Sequence, residues 1–240
     1  MATDLNNLQV KIFADGANLN EIVEMNSNPL IKGLTTNPTL MKKAGVKNYK
    51  SFALEVLSVV TDKPISFEVF SDDLVEMYRQ ALQIASWGKN VFVKIPITNS
   101  KGVSTHNLVA DLVKDKVKVN VTALMTIEQV RLISKSLRSD VSNYVSVFAG
   151  RIADTGVDPI HIMEQSLDIL RPIESSELIW ASPRELLNIF QASEIGCHVI
   201  TATTDILNKL NLVGYDLNQY SLDTVRMFYN DATESNFHIE

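Results

Sequence analysis

The chain has 240 residues, of which 45% are hydrophobic and 21% are charged, and this composition supplies a full globular core and excludes intrinsic disorder. The length fits one large domain, since α/β barrels commonly use about 250 residues as a single unit. The formal net charge of −6 at pH 7 argues against a nucleic-acid partner, because proteins that bind nucleic acids present a basic surface.

Short β-branched segments alternate along the chain with longer segments of helical periodicity. Apolar residues at i, i+3 and i+4 predict helices within residues 72–85 and 126–137. Strands that alternate with helices predict parallel βαβ units, and eight such units predict an α/β fold closed as a single (β/α)8 TIM barrel. The eight predicted strands are residues 10–16, 32–36, 64–70, 90–97, 118–124, 143–150, 177–182 and 197–203.

The starts of several predicted helices carry capping residues. Asn37 precedes a proline directly after the second strand, which is a preferred way to begin a helix. Residues 126–129 fit a capping box, and Ser182 to Glu185 fit a second capping box that includes a proline. These signals support the alternation of strands and helices.

A ninth amphipathic segment, residues 217–232, follows the eight units. We therefore divide the chain into a catalytic barrel domain, residues 1–216, and a C-terminal helix and tail, residues 217–240. The aromatic and apolar residues of this segment can pack either on the barrel or on a neighbouring subunit.

Polar side chains lie at the ends of seven consecutive predicted strands. In a (β/α)8 barrel the C-terminal ends of the strands form the active face, so these side chains are expected to meet at one rim. Phe148 shares the face of Ser146, because residues two apart on a strand point the same way. The polar residues are Asp15, Thr35, Thr36, Asn37, Glu68, Lys94, Asn120, Thr122, Ser146, Arg151, Ser182 and Arg184.

Lys94 lies in the middle of the fourth predicted strand, where an uncompensated ammonium costs free energy. Its valine and isoleucine neighbours face the helices, so alternation points Lys94 into the barrel mouth. Partial desolvation by Phe92 and Phe148 is expected to lower its proton affinity and make the amine a nucleophile. An amine of this kind forms a Schiff base with a carbonyl substrate.

Each of these residues also has a purely structural interpretation. A lone lysine in a strand is more often an edge residue whose ammonium reaches solvent. Asp15 alone could be a turn residue, Asn37 only a helix cap and Ser182 a cap without a ligand. The collection of polar groups at one rim favours the functional interpretation.

Other classes of protein lack support in the sequence. The single cysteine, Cys197, excludes an intrachain disulfide, and the first residues lack the pattern of a signal peptide, so we expect a cytoplasmic protein. No apolar stretch reaches the roughly 18 residues of a membrane span. None of the four histidines has a metal-ligand spacing, and the common nucleotide-binding glycine motifs are absent.

Six segments resemble the transaldolase family, and specifically its short subfamily, which also contains the fructose-6-phosphate aldolases. They cover nearly the whole chain in order, and GLTTNP with VKIP is highly specific. The segments are FADGAN (13–18), KGLTTNPTLMKKAG (32–45), VFVKIPIT (91–98), NVTAL (120–124), VSVFAGRIADTG (145–156) and WASPRE (180–185).

The resemblance implies a Schiff-base enzyme that moves a dihydroxyacetone unit with no cofactor and no metal. Lys94 matches the family's imine-forming lysine, and Asp15 matches the acid/base for the sugar hydroxyl. Glu68 and Thr122 match the pair that holds the water used in imine formation and hydrolysis.

The resemblance also implies how the sugar phosphate is held. Asn37 and Asn120 match amides that bind the dihydroxyacetone hydroxyls, with Ser146 beside them, and Thr35 lies on the same rim. The phosphate clamp is matched by Arg151, Ser182 and Arg184, although a proline stands in WASPRE where many relatives have an aromatic residue.

Two activities share this framework. The aldolases have glutamine at the position of Glu68, tyrosine at the position of Phe148 and no amide at Asn120, so this chain resembles the transaldolases. The implied reaction, in the pentose phosphate pathway, passes dihydroxyacetone from fructose 6-phosphate or sedoheptulose 7-phosphate to glyceraldehyde 3-phosphate or erythrose 4-phosphate.

The alternatives are fructose-6-phosphate aldolase activity and a non-catalytic oligomer that binds sugar phosphates. The subfamily also implies a ring-type homo-oligomer built through the terminal helix, such as a pentamer or decamer.

Overall fold

A computed structural model of the protein describes residues 5–235 and residue 239. Its eight parallel strands form a closed barrel in which each strand pairs with its neighbours in sequence, and β8 pairs with β1. All eight predicted strands and the (β/α)8 fold are therefore confirmed. The strands are β1 (Lys11–Asp15), β2 (Ile31–Thr35), β3 (Ile65–Glu68), β4 (Val91–Pro96), β5 (Val119–Leu124), β6 (Asn143–Val147), β7 (Ser176–Trp180) and β8 (Val199–Thr203).

Helices connect the strands on the outside of the barrel. They are α1 (Leu19–Ser27), α2 (Pro38–Lys43), α3 (Tyr49–Val59), α4 (Leu74–Ala85), α5 (His106–Lys114), α6 (Ile127–Ser134), α7 (Ala149–Ala153), α8 (Ile160–Leu170), α9 (Leu187–Glu194), α10 (Thr204–Leu207) and α11 (Leu217–Glu234). Short 3-10 helices span Leu5–Asn7 and Asn208–Leu212.

Two of the three predicted helix starts are confirmed. Asn37 caps α2 with extended backbone, and its side chain accepts a hydrogen bond from Leu40 N. Thr126 and Gln129 form a reciprocal capping box at the start of α6. These caps satisfy backbone N–H groups that have no partner within the first turn of a helix.

The capping box predicted at Ser182 to Glu185 is wrong, because α9 begins later, at Leu187, and its cap makes no side-chain hydrogen bond. Instead, Asn188 from within the helix accepts hydrogen bonds from Arg184 N at 2.8 Å and from Glu185 N at 3.2 Å. Two backbone donors of this loop, Arg184 N and Glu185 N, are thus already used.

The two faces of the strands belong to two separate apolar cores. Outward residues of β4, including Val93 and Ile95, join the large core between strands and helices, as alternation predicts. Inward residues form a second cluster that contains Phe13, Phe92 and Tyr144. This inner cluster closes the barrel below the level of Lys94 and gives the site an apolar floor.

Gly33 on β2 makes room for the inner cluster. A Cβ atom built at Gly33 would lie 2.5 Å from Cζ of Phe13, far inside van der Waals contact. Phe13 is fully buried, which contributes about 1.5–3 kcal/mol. The glycine is therefore required by the aromatic ring that fills the barrel at this level.

The predicted C-terminal helix forms as α11, but it does not pack into the barrel core. None of the residues Leu217–Glu234 is buried. Leu217, Phe228 and Tyr229 are 79%, 62% and 71% exposed. Across the described residues, no helix combines the length and the apolar character required to cross a bilayer.

Candidate active site

A cavity of about 350 Å³ opens at the C-terminal ends of the strands. Of the thirteen residues predicted at the rim, eleven line it, which brings together seven strands. The exceptions are Thr36, which is buried and donates its hydroxyl to Ser66 O, and Arg184, described below. The eleven are Asp15, Thr35, Asn37, Glu68, Lys94, Asn120, Thr122, Ser146, Phe148, Arg151 and Ser182.

Lys94 lies at the inner end of this cavity and is only 8% exposed. The barrel register places it directly between Glu68 on β3 and Asn120 on β5. Its Nζ is 3.2 Å from Glu68 Oε2 and donates a hydrogen bond to the carbonyl oxygen of Thr36. The buried ammonium thus faces one carboxylate and one backbone dipole, which offset part of the cost of desolvation.

Glu68 is the charge partner of Lys94 and has unused hydrogen-bonding capacity. Burial raises the pKa of its carboxyl group, and the nearby Lys94 charge opposes that shift without cancelling it. Its Oε1 atom is buried and has no hydrogen-bond partner in the part of the chain that the structure describes. Among the described residues, the Thr122 hydroxyl makes a single long contact, 3.5 Å, with the carbonyl oxygen of Ile95. Both groups can therefore bind a water molecule.

Asp15 is held by side-chain donors from β2 and from the cap residue of α2. Thr35 Oγ1 donates to Oδ1 at 2.8 Å, and Asn37 Nδ2 donates to Oδ2 at 3.0 Å. Desolvation raises the pKa of Asp15, while the Lys94 charge and the two hydrogen bonds act in the opposite direction. Asn37 therefore has a structural role and a role in the site, because its amide oxygen caps α2 and its amide nitrogen orients Asp15.

Asn120 is fully buried and its amide is fixed on both sides. Ser146 Oγ donates to Asn120 Oδ1 at 2.7 Å, and Asn120 Nδ2 donates to Ser66 Oγ at 3.1 Å. The second hydrogen of Nδ2 remains for a ligand. Ser66 was missed in the sequence, although it lies two residues before Glu68 and so shares its face.

The eighth strand also contributes polar residues that the sequence analysis missed. Thr201 and Thr203 on β8 line the cavity. Thr201 Oγ1 is 2.6 Å from Thr35 Oγ1, and because Thr35 donates its proton to Asp15, Thr201 must be the donor to Thr35. The alternation of β8 could have revealed both threonines, since they share one face with Val199.

The predicted phosphate clamp is only partly assembled. Arg151 is exposed at the cavity, and its guanidinium forms no hydrogen bond or ion pair with residues 5–235. Ser182 lines the cavity in the left-handed region, with φ of 57°. Arg184 lies outside the cavity because its guanidinium pairs with Asp154, with Nε 2.8 Å from Oδ1.

The loop of Ser182 lies directly on α7. A Cβ atom at Gly150 would be 1.6 Å from the carbonyl oxygen of Ser182, so only glycine permits this approach. The contact brings Ser182 next to the helix that carries Arg151. Gly150 thereby positions the two cavity-lining members of the clamp.

A larger bowl of about 680 Å³ opens at the opposite, N-terminal end of the barrel. It is lined by charges of both signs, including Lys89, Lys118 and Glu177, and by the aromatic floor. None of the residues predicted for the site lines it. Because active sites of such barrels lie at the C-terminal face, the smaller cavity is the candidate active site.

Solved structures of other proteins share this architecture. The structure titled KGPDC from Streptococcus mutans superposes with a TM-score of 0.58, covering 86% of this chain and 93% of that one, at 11% identity. A 2,3-dimethylmalate lyase has a TM-score of 0.55, covering 97% of this chain and 86% of that one, at 12% identity. At such low identity the likeness shows the fold alone.

Sequence comparison shows the family. The Transaldolase/Fructose-6-phosphate aldolase family matches residues 12–239. Proteins named "Probable transaldolase" from Thermoanaerobacter sp. (strain X514) and Caldicellulosiruptor saccharolyticus are 35% and 36% identical, each over 84% of this chain and 89% of theirs. A third, from Methanococcus maripaludis (strain C7), is 32% identical over the same shares. The chain therefore belongs to the transaldolase/fructose-6-phosphate aldolase family.

Proposed function

We propose that the protein is a transaldolase that works through a Schiff base on Lys94. The substrates are a ketose phosphate donor, fructose 6-phosphate or sedoheptulose 7-phosphate, and an aldose phosphate acceptor, glyceraldehyde 3-phosphate or erythrose 4-phosphate. The observation that carries the proposal is the geometry of Lys94, which is buried at the floor of a polar cavity and held 3.2 Å from Glu68.

In the first half of the reaction the neutral amine of Lys94 adds to the C2 carbonyl of the donor. Loss of water, assisted by Glu68 and Thr122, leaves an iminium ion. Asp15 then removes the proton of the C4 hydroxyl, and the C3–C4 bond breaks. Its electron pair enters the iminium group and forms an enamine, while the aldose phosphate leaves.

The second half runs these steps in reverse on the acceptor. The enamine carbon adds to the acceptor aldehyde, and Asp15 returns its proton to the new alkoxide. Water then hydrolyses the iminium ion and frees Lys94. The half-buried amide of Asn37 and the buried amide of Asn120 hold the dihydroxyacetone hydroxyls, and Arg151 binds the phosphate.

Three residues favour transfer over release of free dihydroxyacetone. Glu68, Asn120 and Phe148 all line the cavity, and all three match the transaldolase pattern. The close pair of Glu68 and Lys94 supports proton transfer between the carboxylate and the imine that forms on Lys94.

The proposal is tested by trapping and by acceptor dependence. With fructose 6-phosphate and borohydride, we expect a reduced dihydroxyacetone adduct on Lys94, found by peptide mass analysis, and none in Lys94→Ala. Product formation should then require erythrose 4-phosphate. A wild-type protein without the adduct contradicts the mechanism, whereas rapid release of dihydroxyacetone without an acceptor would assign aldolase activity.

We further propose that α11 packs on another copy of this chain in a ring-type homo-oligomer, such as a pentamer or decamer. The support is its apolar surface, including Val225, Phe228 and Tyr229, which the barrel of the same chain leaves exposed. Light scattering should find an oligomer for the wild type and a smaller species for Val225→Ser/Phe228→Ser. A monomeric wild type would contradict this proposal.

A further inference from the structure

The backbone at the end of β3 departs from a regular parallel ladder. The ladder between β2 and β3 continues to Thr36, whose N–H donates to Ser66 O at 3.3 Å. In a regular parallel ladder the next bond runs from Glu68 N to Thr36 O. Instead, Glu68 N donates to the hydroxyl of Tyr49, at 2.7 Å.

The Tyr49 hydroxyl binds both backbone groups of Glu68. It accepts from Glu68 N and donates to Glu68 O at 3.0 Å, so one hydroxyl replaces a neighbouring strand. Tyr49 is the first residue of α3, and its ring is packed edge-on against other aromatic rings. The ring centroids lie 6.2 Å from Phe67, 4.5 Å from Phe70 and 5.6 Å from Trp87. This packing fixes where the hydroxyl points.

This change in the hydrogen-bond partner of Glu68 N makes the carbonyl oxygen of Thr36 available inside the barrel. Because Glu68 N is bound to Tyr49, the carbonyl oxygen of Thr36 is not used by the ladder and accepts a hydrogen bond from Lys94 Nζ. The Glu68 carboxylate meets the same Nζ from the neighbouring strand, at 3.2 Å. The contacts of the amine with Thr36 O and with the Glu68 carboxylate therefore both depend on where the end of β3 lies.

We propose that Tyr49 is a positioning residue for the reaction at Lys94. Its hydroxyl takes the place of Thr36 O as the partner of Glu68 N, which keeps that carbonyl for the amine and holds the Glu68 carboxylate beside it. Tyr49 lies behind Glu68 and outside the cavity lined by the substrate-binding residues. The inference rests on the proposed function in that Lys94 is taken as the imine-forming amine.

The first test is Tyr49→Phe, which removes the hydroxyl and keeps the ring. We expect the rate of imine formation with fructose 6-phosphate, quenched with borohydride, to fall about 10- to 100-fold, the effect of misplacing a reacting group. KM for fructose 6-phosphate should change less than about twofold, because substrate contacts remain. The matched control is Tyr78→Phe, which loses a hydroxyl bonded to Asp115 on the outside of the barrel and should leave both values unchanged.

A double-mutant cycle separates positioning from a general loss of stability. In the Glu68→Gln background, Tyr49→Phe should cost at least about threefold less than in the wild type, because part of its effect passes through the carboxylate. If the rate penalties of Tyr49→Phe and Glu68→Gln simply multiply in the double mutant, the two residues act independently and the inference is overturned.

A crystal structure of Tyr49→Phe tests the geometry without any reaction. We expect a new bond from Glu68 N to Thr36 O and movement of Lys94 Nζ away from that oxygen. Unmoved Lys94 and Glu68, or a wild-type trapping rate, would overturn the role of Tyr49. A wild-type enzyme that forms no adduct would overturn the proposed function instead, and the crystal structure would still decide whether Tyr49 controls the pairing.

Discussion

Removal of the Thr35 hydroxyl should reduce transfer and change its pH dependence. Thr35 is buried, and its Oγ1 links Thr201 to Asp15, with distances of 2.6 and 2.8 Å. Thr35→Val keeps the shape of the side chain and leaves Asp15 with one donor, Asn37. A hydrogen bond to a charged group contributes about 1.5–3 kcal/mol, so we expect transfer to slow about 10- to 150-fold.

The sign of the pH effect follows from what the hydroxyl does to Asp15. Burial raises the pKa of Asp15 above its ordinary value of 3.8, and the bond from Thr35 lowers it. Without that bond the pKa rises further, so the base is protonated at a higher pH. The acid limb of kcat/KM for transfer should therefore move to higher pH in Thr35→Val.

The assay is transfer from fructose 6-phosphate to erythrose 4-phosphate, followed across the acid limb. Thr105→Val is the matched control, since Thr105 is also buried, donates to Pro96 O at 2.6 Å and does not line the cavity. It should lose stability without moving the acid limb. If Thr35→Val retains the wild-type limb and rate, Asp15 is not the base that the hydroxyl tunes.

Further changes test other parts of the site and fold. Glu68→Gln should lower transfer about 100-fold, because an amide cannot exchange protons, and an unchanged rate would remove Glu68 from the reaction. Arg151→Gln should raise KM for fructose 6-phosphate about 10-fold or more and leave KM for unphosphorylated fructose unchanged; equal effects would contradict phosphate binding. Gly150→Ala should lower Tm and weaken phosphate binding, because the new Cβ meets the carbonyl oxygen of Ser182, and a wild-type Tm would show that the loop can move away. His198 accepts a backbone N–H, and burial lowers its pKa from 6.5, so stability should decline as pH falls below 6.5. His198→Gln should flatten that decline in thermal unfolding.

Much of the site could be predicted because barrel geometry follows from short-range patterns. Alternation along β4 and β5 was enough to turn Lys94, Asn120 and Thr122 inward, and the cavity contains all three. Because the eight strands have similar lengths, their C-terminal ends lie together at one rim of the barrel. Local capping chemistry likewise placed Asn37 at the start of α2.

Two of the incorrect or missing assignments involve partners distant in sequence, and one involves a competing local partner. Arg184 pairs with Asp154, which is 30 residues away, and this removes its guanidinium from the cavity. The Ser182 loop matched a capping pattern, yet Asn188 satisfies its donors. Thr201 meets Thr35 across 166 residues, where β8 closes onto the strands that precede it. No local pattern contains the pairings of Arg184 and Thr201.

By itself, the sequence determined the strands, their inward and outward faces and the family, because these depend on residue periodicity and on short motifs. Only the tertiary structure decided which donor meets which acceptor at the rim. The exchange that gives Thr36 O to Lys94 and Glu68 N to Tyr49 is one example. Such choices depend on distances of a few ångströms between separate strands and helices, and closure of the barrel sets those distances.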